Sequence, residues 1–369
     1  MRIKLPEGTL GIYVHVPYCI RKCKYCDFLS FEKAPDDAYF DELAEDIKAT
    51  GNALGNENKY YVDTLFFGGG TPSLASAAQL GKVLDALRES FDVRSAETTI
   101  EVNPETVTAE KASELRALGF DRISMGVQSL DDKVLAAMGR VHSADKARQA
   151  YRILRGAGFK NINLDLIFGA PEQDPAVWQE TLAEVLDMRP EHVSFYSLQL
   201  EEGTPLYKDY TAGKVDLPSW EENRRMYHHA ADALKAAGYH HYEVSNAALP
   251  GFECRHNLKY WNMQPYLGFG TSAHSFINGC RGELPDLKKE TVSELKGDFV
   301  FTKLRLIDGF DLSDYSGIFG ADFLADFSAL LPRLIEEGYL EPSGGRLRFT
   351  DKGLDSTNIV IQRLLEVLE

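Results

Sequence analysis

The sequence predicts an α/β fold in which helices cover a parallel sheet that curves into a full or partial barrel. Apolar, β-branched runs recur along the first two thirds of the chain, and a helical pattern follows each of them. Strands that are apolar almost throughout are typical of parallel sheets covered by helices. Six such units are more than a short open sheet holds, and the sequence has no glycine fingerprint of a dinucleotide fold, which favours the barrel.

The strands and helices alternate at short intervals. The predicted strands span residues 11–18, 62–69, 97–104, 122–129, 161–169 and 192–199. Helical periodicity is clearest over 78–91, 109–120 and 176–188. Gly119 and Gly158 mark helix ends, because a left-handed residue at that position favours glycine.

The last third of the chain has a different pattern. Residues 239–248 predict one more strand, and 251–276 are aromatic and glycine-rich without periodicity. A helix near 321–337, a Gly-Gly turn at 344–345 and a last helix near 354–368 resemble a winged-helix module. We therefore predict a barrel over 1–248, a signature segment and connector over 249–298, and a mostly helical, winged-helix-like domain over 299–369.

Composition and charge exclude several classes of protein. Hydrophobic residues make up 44% and charged residues 26% of the chain, which is a globular composition. The net charge of −16 disfavours nucleic acid and anionic membranes as partners, so we expect a packing role for the winged helix. No apolar stretch approaches the ~20 residues of a membrane span, and the first residues lack the apolar core of a signal peptide. We expect a cytoplasmic protein with at most peripheral membrane contact through a partner.

Polar residues and glycines gather near the carboxyl ends of the predicted strands. They are Gly69, Gly70, Thr71, Glu101, Asn103, Gln128, Asp165 and Gln199. Because the carboxyl ends of the strands carry the site in βα barrels, these residues predict one shared pocket. The alternative is that polarity simply returns where each strand leaves the core.

Three of the five cysteines, Cys19, Cys23 and Cys26, directly follow the first strand. An odd number of cysteines in a chain of this length argues against a disulfide scaffold. Thiols at this spacing can wrap one face of a 4Fe–4S cluster and leave one iron open for a ligand. A structural zinc site would need a fourth ligand, for which the sequence places no second Cys/His pair, and a Cys-x-x-Cys redox pair would not use Cys19.

The cysteine spacing resembles that of the radical S-adenosylmethionine (SAM) superfamily. Tyr25 is the aromatic residue before the last cysteine, and FFGGGTP over 66–72 resembles the motif that contacts the SAM amino group through its backbone. Glycines lack the Cβ atom and so let the backbone approach a ligand. The resemblance implies a partial (β/α)6 TIM-like barrel, with Cys19, Cys23 and Cys26 on a 4Fe–4S cluster whose open iron binds SAM. In that family the reduced cluster cleaves SAM to methionine and a 5′-deoxyadenosyl radical.

Further motifs extend the resemblance over nearly the whole chain. YVHVPYC, IEVNPET, RISMGVQS, LDLIFGAP and YSLQLEEGTP are similar, in order, to the coproporphyrinogen III dehydrogenase-like group. That resemblance implies SAM contacts at Tyr13, Gly69, Gly70, Thr71, Glu101, Gln128, Arg140 and Asp165, with Tyr25 where the dehydrogenase contacts a second SAM. Glu101 and Asp165 can accept hydrogen bonds from ammonium or ribose hydroxyl groups, and Arg140 can pair with a carboxylate.

Two features separate the sequence from the dehydrogenase itself. Only 18 residues precede Cys19, where the dehydrogenase has a longer extension, and Asp27 and Phe28 follow Cys26 where it has a fourth cysteine two residues on. Cys-x-Tyr-Cys-Asp-Phe instead resembles the HemW-type haem chaperones. RHNLKYW over 255–261 matches their His-Asn-x-x-Tyr-Trp motif. This resemblance makes 249–298 the haem-signature segment.

The signature segment offers groups that suit a tetrapyrrole. Imidazole and thiolate are common axial ligands of haem iron, and aromatic rings provide flat apolar surface. The alternative is that His256, Asn257 and Trp261 form a structural belt that closes the barrel mouth. The candidate haem residues are His256, Cys254, Tyr260 and Trp261, with His274 as a rival ligand.

We expect a haem chaperone that binds haem, a 4Fe–4S cluster and SAM and transfers haem to acceptor apo-haemoproteins, either as a monomer or as a cluster-dependent dimer. The alternative is a radical SAM oxidoreductase or methyltransferase that acts on a porphyrin or porphyrinogen, such as an oxygen-independent coproporphyrinogen III dehydrogenase. The full set of SAM contacts favours the enzyme. Asp27, Phe28 and the His-Asn-x-x-Tyr-Trp motif favour the chaperone. The sequence assigns no catalytic residue.

Overall fold

The computed structural model describes residues 3–54 and 60–368. The strands are β1 (Thr9–Val16), β2 (Tyr18–Cys19), β3 (Phe31–Glu32), β4 (Tyr61–Gly69), β5 (Val93–Val102), β6 (Arg122–Gln128), β7 (Ile162–Phe168), β8 (His192–Ser197), β9 (His240–Glu243), β10 (Asn246–Ala248), β11 (Tyr266–Phe269), β12 (His274–Ile277), β13 (Cys280–Glu283), β14 (Lys288–Lys289), β15 (Phe310–Asp311), β16 (Leu340–Ser343) and β17 (Arg346–Phe349). The helices are α1 (Asp37–Leu54), α2 (Ala77–Ser90), α3 (Ala109–Leu118), α4 (Asp132–Ala137), α5 (Ala144–Gly156), α6 (Pro175–Met188), α7 (Pro205–Thr211), α8 (Trp220–Ala236), α9 (Arg255–Trp261), α10 (Val292–Lys303), α11 (Leu312–Phe319), α12 (Phe323–Asp326), α13 (Leu331–Glu336), α14 (Asp351–Asp355) and α15 (Thr357–Leu365).

A twelve-stranded sheet forms the larger part of the described chain, in the order β14-β13-β12-β11-β1-β4-β5-β6-β7-β8-β10-β9. The strands from β11 through β8 run parallel. Each of the six predicted strands is present, and they lie side by side in chain order. Because β1 pairs with β11 and β8 pairs with β10 at their outer edges, the sheet does not close. The predicted partial barrel is confirmed.

The two faces of the barrel strands differ in chemistry. In β1, Leu10, Ile12, Val14 and Val16 are wholly buried and alternate with Gly11, Tyr13 and His15. Because side chains alternate along a strand, one face packs against the helices and the other faces the barrel interior. That interior is polar: the Asn163 side-chain amide donates to Ser124 Oγ at 2.7 Å and its carbonyl lies 2.7 Å from His192 Nδ1.

The predicted helix ends are present, and local interactions stabilise them. Ser76 and Gln79 form a reciprocal capping box at the start of α2. Gly119 follows α3 with a φ of +98°, a conformation that glycine adopts at little cost. The three periodic helices predicted from the sequence correspond to α2, α3 and α6.

Residues 239–248 form a hairpin of β9 and β10, so the prediction of one strand was wrong. The reason is the buried Glu243, which is 2% exposed. Its carboxylate accepts hydrogen bonds from the Ser245 backbone N–H and the Asn246 side-chain amide and so reverses the chain. Polar residues bonded within a tight turn favour reversal over an extended strand.

The signature segment contains a helix and a strand that its sequence did not predict. It contains the seven-residue helix α9 and the four-residue strand β11, both too short to show periodicity. β11 joins β1 as a further parallel strand, so the sheet continues well past residue 248. Met263 and Phe276 pack into the hydrophobic core of the C-terminal domain, so the segment contacts both parts of the chain.

The C-terminal domain has its own apolar core and a three-stranded sheet, β15-β17-β16. The predicted Gly-Gly turn joins β16 and β17. The helix predicted near 321–337 is divided into α12 and α13, and the last helix into α14 and α15. The domain limits at 248 and 298 stay predictions, and residues 1–2, 55–59 and 369, which those limits include, lie outside the described residues.

No helix in the described part of the chain is long and apolar enough to cross a membrane.

A buried ion pair anchors α9 inside the barrel. Lys259 is 2% exposed, its ammonium lies 2.7 Å from an Asp63 carboxylate oxygen, and it donates to Thr9 Oγ1 at 2.9 Å. A Cβ atom on Gly11 would lie 2.8 Å from the Lys259 side chain, so β1 approaches closely only because glycine stands there.

Lys259→Met should lower the free energy of unfolding by about 2–4 kcal/mol, because it leaves the Asp63 carboxylate without its cation in a mostly buried place. Urea denaturation followed by circular dichroism measures the loss. Lys48→Met removes an exposed pair with Glu89 and serves as the control, whose midpoint should not move. An unchanged midpoint for the Lys259 variant would contradict the anchoring role.

Candidate functional site

A cavity of about 480 Å³ opens at the carboxyl ends of the barrel strands. The cysteine loop forms one wall, and the ends of β4 to β8 form the others. Apart from Tyr13, all predicted cluster and SAM residues line this one cavity: Cys19, Cys23, Tyr25, Cys26, Gly69, Gly70, Thr71, Glu101, Gln128, Arg140 and Asp165. The structure therefore brings together residues from the ends of four strands, β4 to β7, as the strand-end pattern predicts, with the cysteine loop and the loop after α4.

Three free, half-buried thiols face this cavity. Thr71 Oγ1 donates to Cys19 Sγ at 3.8 Å, and Arg140 Nη1 donates to Cys23 Sγ at 3.3 Å. Burial raises the pKa of the Cys19 and Cys26 thiols. Since metals bind the thiolate, loading a cluster here must release protons.

The donor set suits a group larger than one metal ion. Among the described residues, no three or more His, Cys, Asp or Glu side chains are gathered closely enough to hold a single ion. The thiols of Cys19, Cys23 and Cys26 instead line one wall of the cavity, and hydrogen-bond donors approach two of their sulfurs. Such donors stabilise the charge of thiolates on an iron–sulfur cluster.

Arg140 is the cation beside the cysteines. Its Nη2 donates to the Gly126 carbonyl at 2.6 Å, while its buried Nε has no partner in the described part of the chain. Burial and the Arg140 charge lower the pKa of the neighbouring His142 to about 3, so that imidazole is neutral. The unpaired N–H of Arg140 fits a carboxylate such as that of SAM.

Two half-buried carboxyl groups also line this cavity. Glu101 Oε2 accepts a hydrogen bond from the Gly69 backbone N–H at 3.0 Å, and Asp165 accepts from Ser124 and Asn163. Burial, with a contribution from Asp165, raises the pKa of Glu101 to about 8. Burial also raises the pKa of Asp165. A cation beside these carboxyls would favour their ionised form, so the site fits the ammonium group of a ligand.

The glycine motif packs against the protein itself. Gly69 has a φ of +110°, and a Cβ atom there would lie 2.5 Å from the His15 ring. A Cβ atom on Gly70 would lie 2.6 Å from the Tyr18 carbonyl oxygen. We expected these glycines to make room for a ligand. The structure shows that they first make room for the end of β1 and for the loop after it.

Gln128 and Tyr13 are placed by the backbone in different ways. Gln128 has a φ of +67° at a register shift between β6 and β7, which turns its side chain into the cavity. Tyr13 lies outside that cavity, where its hydroxyl is 3.0 Å from His15 Nδ1 and its ring stacks on Phe66. Tyr13 instead meets Glu101 and Asp165 in a second, deeper cavity and meets Gly69 and Glu101 in a third.

His256 lies in a second cavity of about 200 Å³, deeper in the barrel. It is 1% exposed, its Nδ1 is 2.9 Å from Thr64 Oγ1, and its Nε2 is 2.8 Å from the Tyr260 hydroxyl. Burial lowers the pKa of His256 to about 3. Both ring nitrogens are thus engaged in hydrogen bonds, which leaves no lone pair for iron in this arrangement.

Cys254 is equally enclosed. Its thiol is fully buried and donates to Glu97 Oε1 at 3.6 Å, and burial raises its pKa to about 12. The Glu97 carboxylate also accepts the backbone N–H groups of Arg255 and His256. In this arrangement neither His256 nor Cys254 has a free donor atom for iron, and both the haem role and the structural belt stay predictions.

Sequence reasoning missed Arg122, which lines the deeper cavity and is 2% exposed. An arginine that opens a strand resembles an ordinary surface residue, and nothing in its neighbours marks it as buried. Its Nε has no partner among the residues described. Sequence reasoning also missed Tyr196, an exposed residue at the end of β8 that lines both cavities.

A third cavity of about 740 Å³, the aromatic groove, lies between the barrel and α10. Tyr260 and Trp261, two of the haem candidates, line it, and so does the rival ligand His274. Glu101 lines all three cavities. The signature segment therefore contributes to this groove through residues other than its histidine at 256.

Replacing Cys19, Cys23 or Cys26 singly with alanine should abolish the brown absorbance of the reconstituted cluster. Each substitution removes one of the three thiolates that the cysteine loop offers to the cluster. Iron and sulfide content and the visible spectrum after anaerobic reconstitution measure the loss. Cys280→Ala, outside the cavity, is the matched control and should keep the spectrum. A full cluster in any of the three variants would refute the ligand set.

Glu101→Gln should change how stability depends on pH. The folded protein holds the Glu101 proton up to about pH 8, whereas an unfolded glutamate loses it near ~4.3. The wild type should therefore lose stability relative to the variant as the pH rises between these values, by at most about 1.4 kcal/mol per pH unit.

Urea denaturation of the SAM-free protein at several pH values between about 5 and 8 measures this difference. Glu105→Gln, at an exposed position, should follow the wild type. Parallel profiles for the Glu101 variant and the wild type would show that Glu101 is ionised throughout.

Comparison with known proteins places this geometry in a family. A model of the radical SAM superfamily matches residues 13–185, and a model of the HemN C-terminal domain matches residues 297–355. A solved structure of coproporphyrinogen III oxidase (HemN) from Escherichia coli, titled as a radical SAM enzyme, superimposes with a TM-score of 0.81. It is 24% identical and covers 98% of this chain and 90% of that one, which shows a shared fold.

Curated relatives extend over nearly the full length. The heme chaperone HemW of Bacillus subtilis is 32% identical, over 92% of this chain and 95% of its own. That of Lactococcus lactis is 32% identical over 96% of both chains, and that of Escherichia coli is 36% identical over 76% of this chain and 73% of its own. The chain belongs to the HemW family, within the radical SAM superfamily.

Proposed function

We propose that this protein binds haem and passes it to acceptor apo-haemoproteins, while the barrel holds a 4Fe–4S cluster and SAM. The observation that carries the proposal is the similarity to proteins named heme chaperone, which extends over 92% and 96% of this chain for two of them. Membership of the radical SAM superfamily implies the cluster and SAM. A large aromatic groove next to the cluster cavity supports a flat hydrophobic cargo.

Within the barrel, we assign the cluster to Cys19, Cys23 and Cys26 and the SAM contacts to the residues around the same cavity. When bound and reduced, the cluster supplies an electron to SAM. Thr71 and Arg140 donate to two of the sulfurs and so stabilise the thiolate form.

The ends of SAM differ in charge, and so do the walls of the cavity. The unpaired N–H of Arg140 pairs with the SAM carboxylate. Glu101 and Asp165 accept from its ammonium and hydroxyl groups. The hydrogen bond from the Gly69 N–H to Glu101 holds that carboxyl in place beside the glycine motif.

We further propose a cytoplasmic protein that acts as a monomer or as a cluster-dependent dimer. The net charge of −16 supports contact with membranes only through an acceptor and disfavours nucleic acid. The assignment of 1–248 to the barrel, 249–298 to the signature segment and 299–369 to the C-terminal domain belongs to the same proposal.

A second function, a radical SAM enzyme acting on a porphyrin or porphyrinogen, is favoured by one observation. The polar set around the cluster cavity is complete apart from Tyr13, and the buried, unpaired Nε of Arg140 within it is costly to keep without a ligand. A carrier that only holds haem has no need of them.

Titration with haemin should give saturable binding, seen as a shift of the Soret band, and the loaded protein should transfer haem to an apo-haemoprotein. The same anaerobically reconstituted protein, given dithionite, SAM and coproporphyrinogen III, should form no protoporphyrinogen. Apo-haemoprotein mixed with free haemin is the control for the transfer step. Absence of saturable binding would overturn the chaperone, and product formation over many turnovers would establish the enzyme instead.

A further inference from the structure

The aromatic groove has walls from three parts of the chain. Phe28 and Leu29 come from the cysteine loop, Tyr260 and Trp261 end α9, and Phe301 lies on α10. Phe28 and Phe301 are exposed, so the groove is open to solvent along one side. Its volume of about 740 Å³ lies within the range of small-molecule sites. Aromatic walls suit a flat ligand, and the open side allows that ligand to be released.

We infer that the aromatic groove is the haem site of this protein and that His274 is the residue that ligates the iron. The inference rests on the proposed haem binding and adds to it a place and a ligand. It differs from what the sequence motif suggests, because the motif histidine faces the barrel interior.

The imidazoles near the groove differ in the availability of their nitrogen atoms. His15 lines the groove, but its Nε2 donates to the Leu29 carbonyl at 3.0 Å and its Nδ1 accepts from Tyr13. His256 has both nitrogens engaged and is 1% exposed. His274 is exposed and lines the groove, and its imidazole makes no hydrogen bond with any residue that the structure describes. Only its imidazole can approach iron without breaking an existing contact.

The wall beside Trp261 offers unused hydrogen-bond donors. Trp261 Nε1 is buried and has no acceptor within the described ranges, and the same holds for Nε of Arg305. The Arg305 guanidinium lies 5.8 Å from the Trp261 ring centre and 4.4 Å from that of Phe301. Buried donors without partners are costly, and the carboxylates of a haem would satisfy them. Trp261 and His274 both line the groove, and Arg305 lies behind its wall against the Trp261 and Phe301 rings.

The first experiment compares His274→Ala with His229→Ala, whose histidine is exposed on α8 outside the groove. Haemin is titrated into each and followed by the Soret band and electron paramagnetic resonance. His274→Ala should weaken binding at least about tenfold, as loss of metal-site contacts does, and should lose the histidine-ligated spectrum. Added imidazole should restore that spectrum. His229→Ala should behave like the wild type.

The second experiment separates the groove from the iron ligand. Thr302→Trp adds a bulky ring to the groove from α10 and leaves every histidine of the chain in place. It should weaken the binding of both haemin and metal-free protoporphyrin, whereas His274→Ala should weaken haemin alone. Circular dichroism and thermal unfolding check that each variant is folded.

The outcomes keep the two proposals apart. If the wild type binds no haemin, the proposed function fails and the inference fails with it. If the wild type binds haemin and both variants bind it equally well with an unchanged spectrum, the haem site lies elsewhere and only the inference fails. If Thr302→Trp alone weakens binding, the groove stands and His274 is not the ligand, which overturns the assignment of the iron.

Discussion

The carboxylate of Glu97 is the contact on which the interior of the barrel depends. It stands on β5, is 4% exposed, and accepts hydrogen bonds from the backbone of Arg255 and His256 and from the thiol of Cys254. The first turn of a helix has donors without partners, so a helix that begins inside a protein needs such an acceptor. Once α9 is held there, its last residues reach the aromatic groove.

Several ionisable side chains lie inside the barrel, where little water surrounds them. Glu101 and Asp165 lie near Arg122, and Glu101 lines the cluster cavity, the deeper cavity and the groove. Charges interact more strongly in such surroundings than in solvent. A change in the protonation of Glu101 therefore changes the electrostatic potential in all three cavities. The three cavities are electrostatically coupled through this one carboxyl group.

The sequence predicted the six barrel strands from apolar runs that alternate with helical patterns. It predicted the shared cavity from the polar strand ends and the cysteine spacing. All of these signals are local in the chain. It did not predict α9 and β11, since seven and four residues carry no measurable period. It made His256 a haem candidate from a motif, and a motif names residue types but not the direction of their side chains. Of the two partners that occupy the ring nitrogens of His256, Tyr260 belongs to the same motif, whereas Thr64 lies 192 residues away in the sequence. The burial of Arg122 depends on neighbouring strands that are distant in the sequence, so no local pattern in the sequence predicts it.

The atoms that would clash with a side chain at Gly69 and Gly70 belong to His15 and Tyr18, not to a ligand space. Alanine at either position is opposed by the folded chain whether or not a cofactor is ever bound. A homologue that had abandoned its cofactor would therefore still retain these glycines. These glycines are therefore evidence about how the loops pack. The chemistry of the site is better judged from groups that have no partner among the described residues, such as Arg140 Nε.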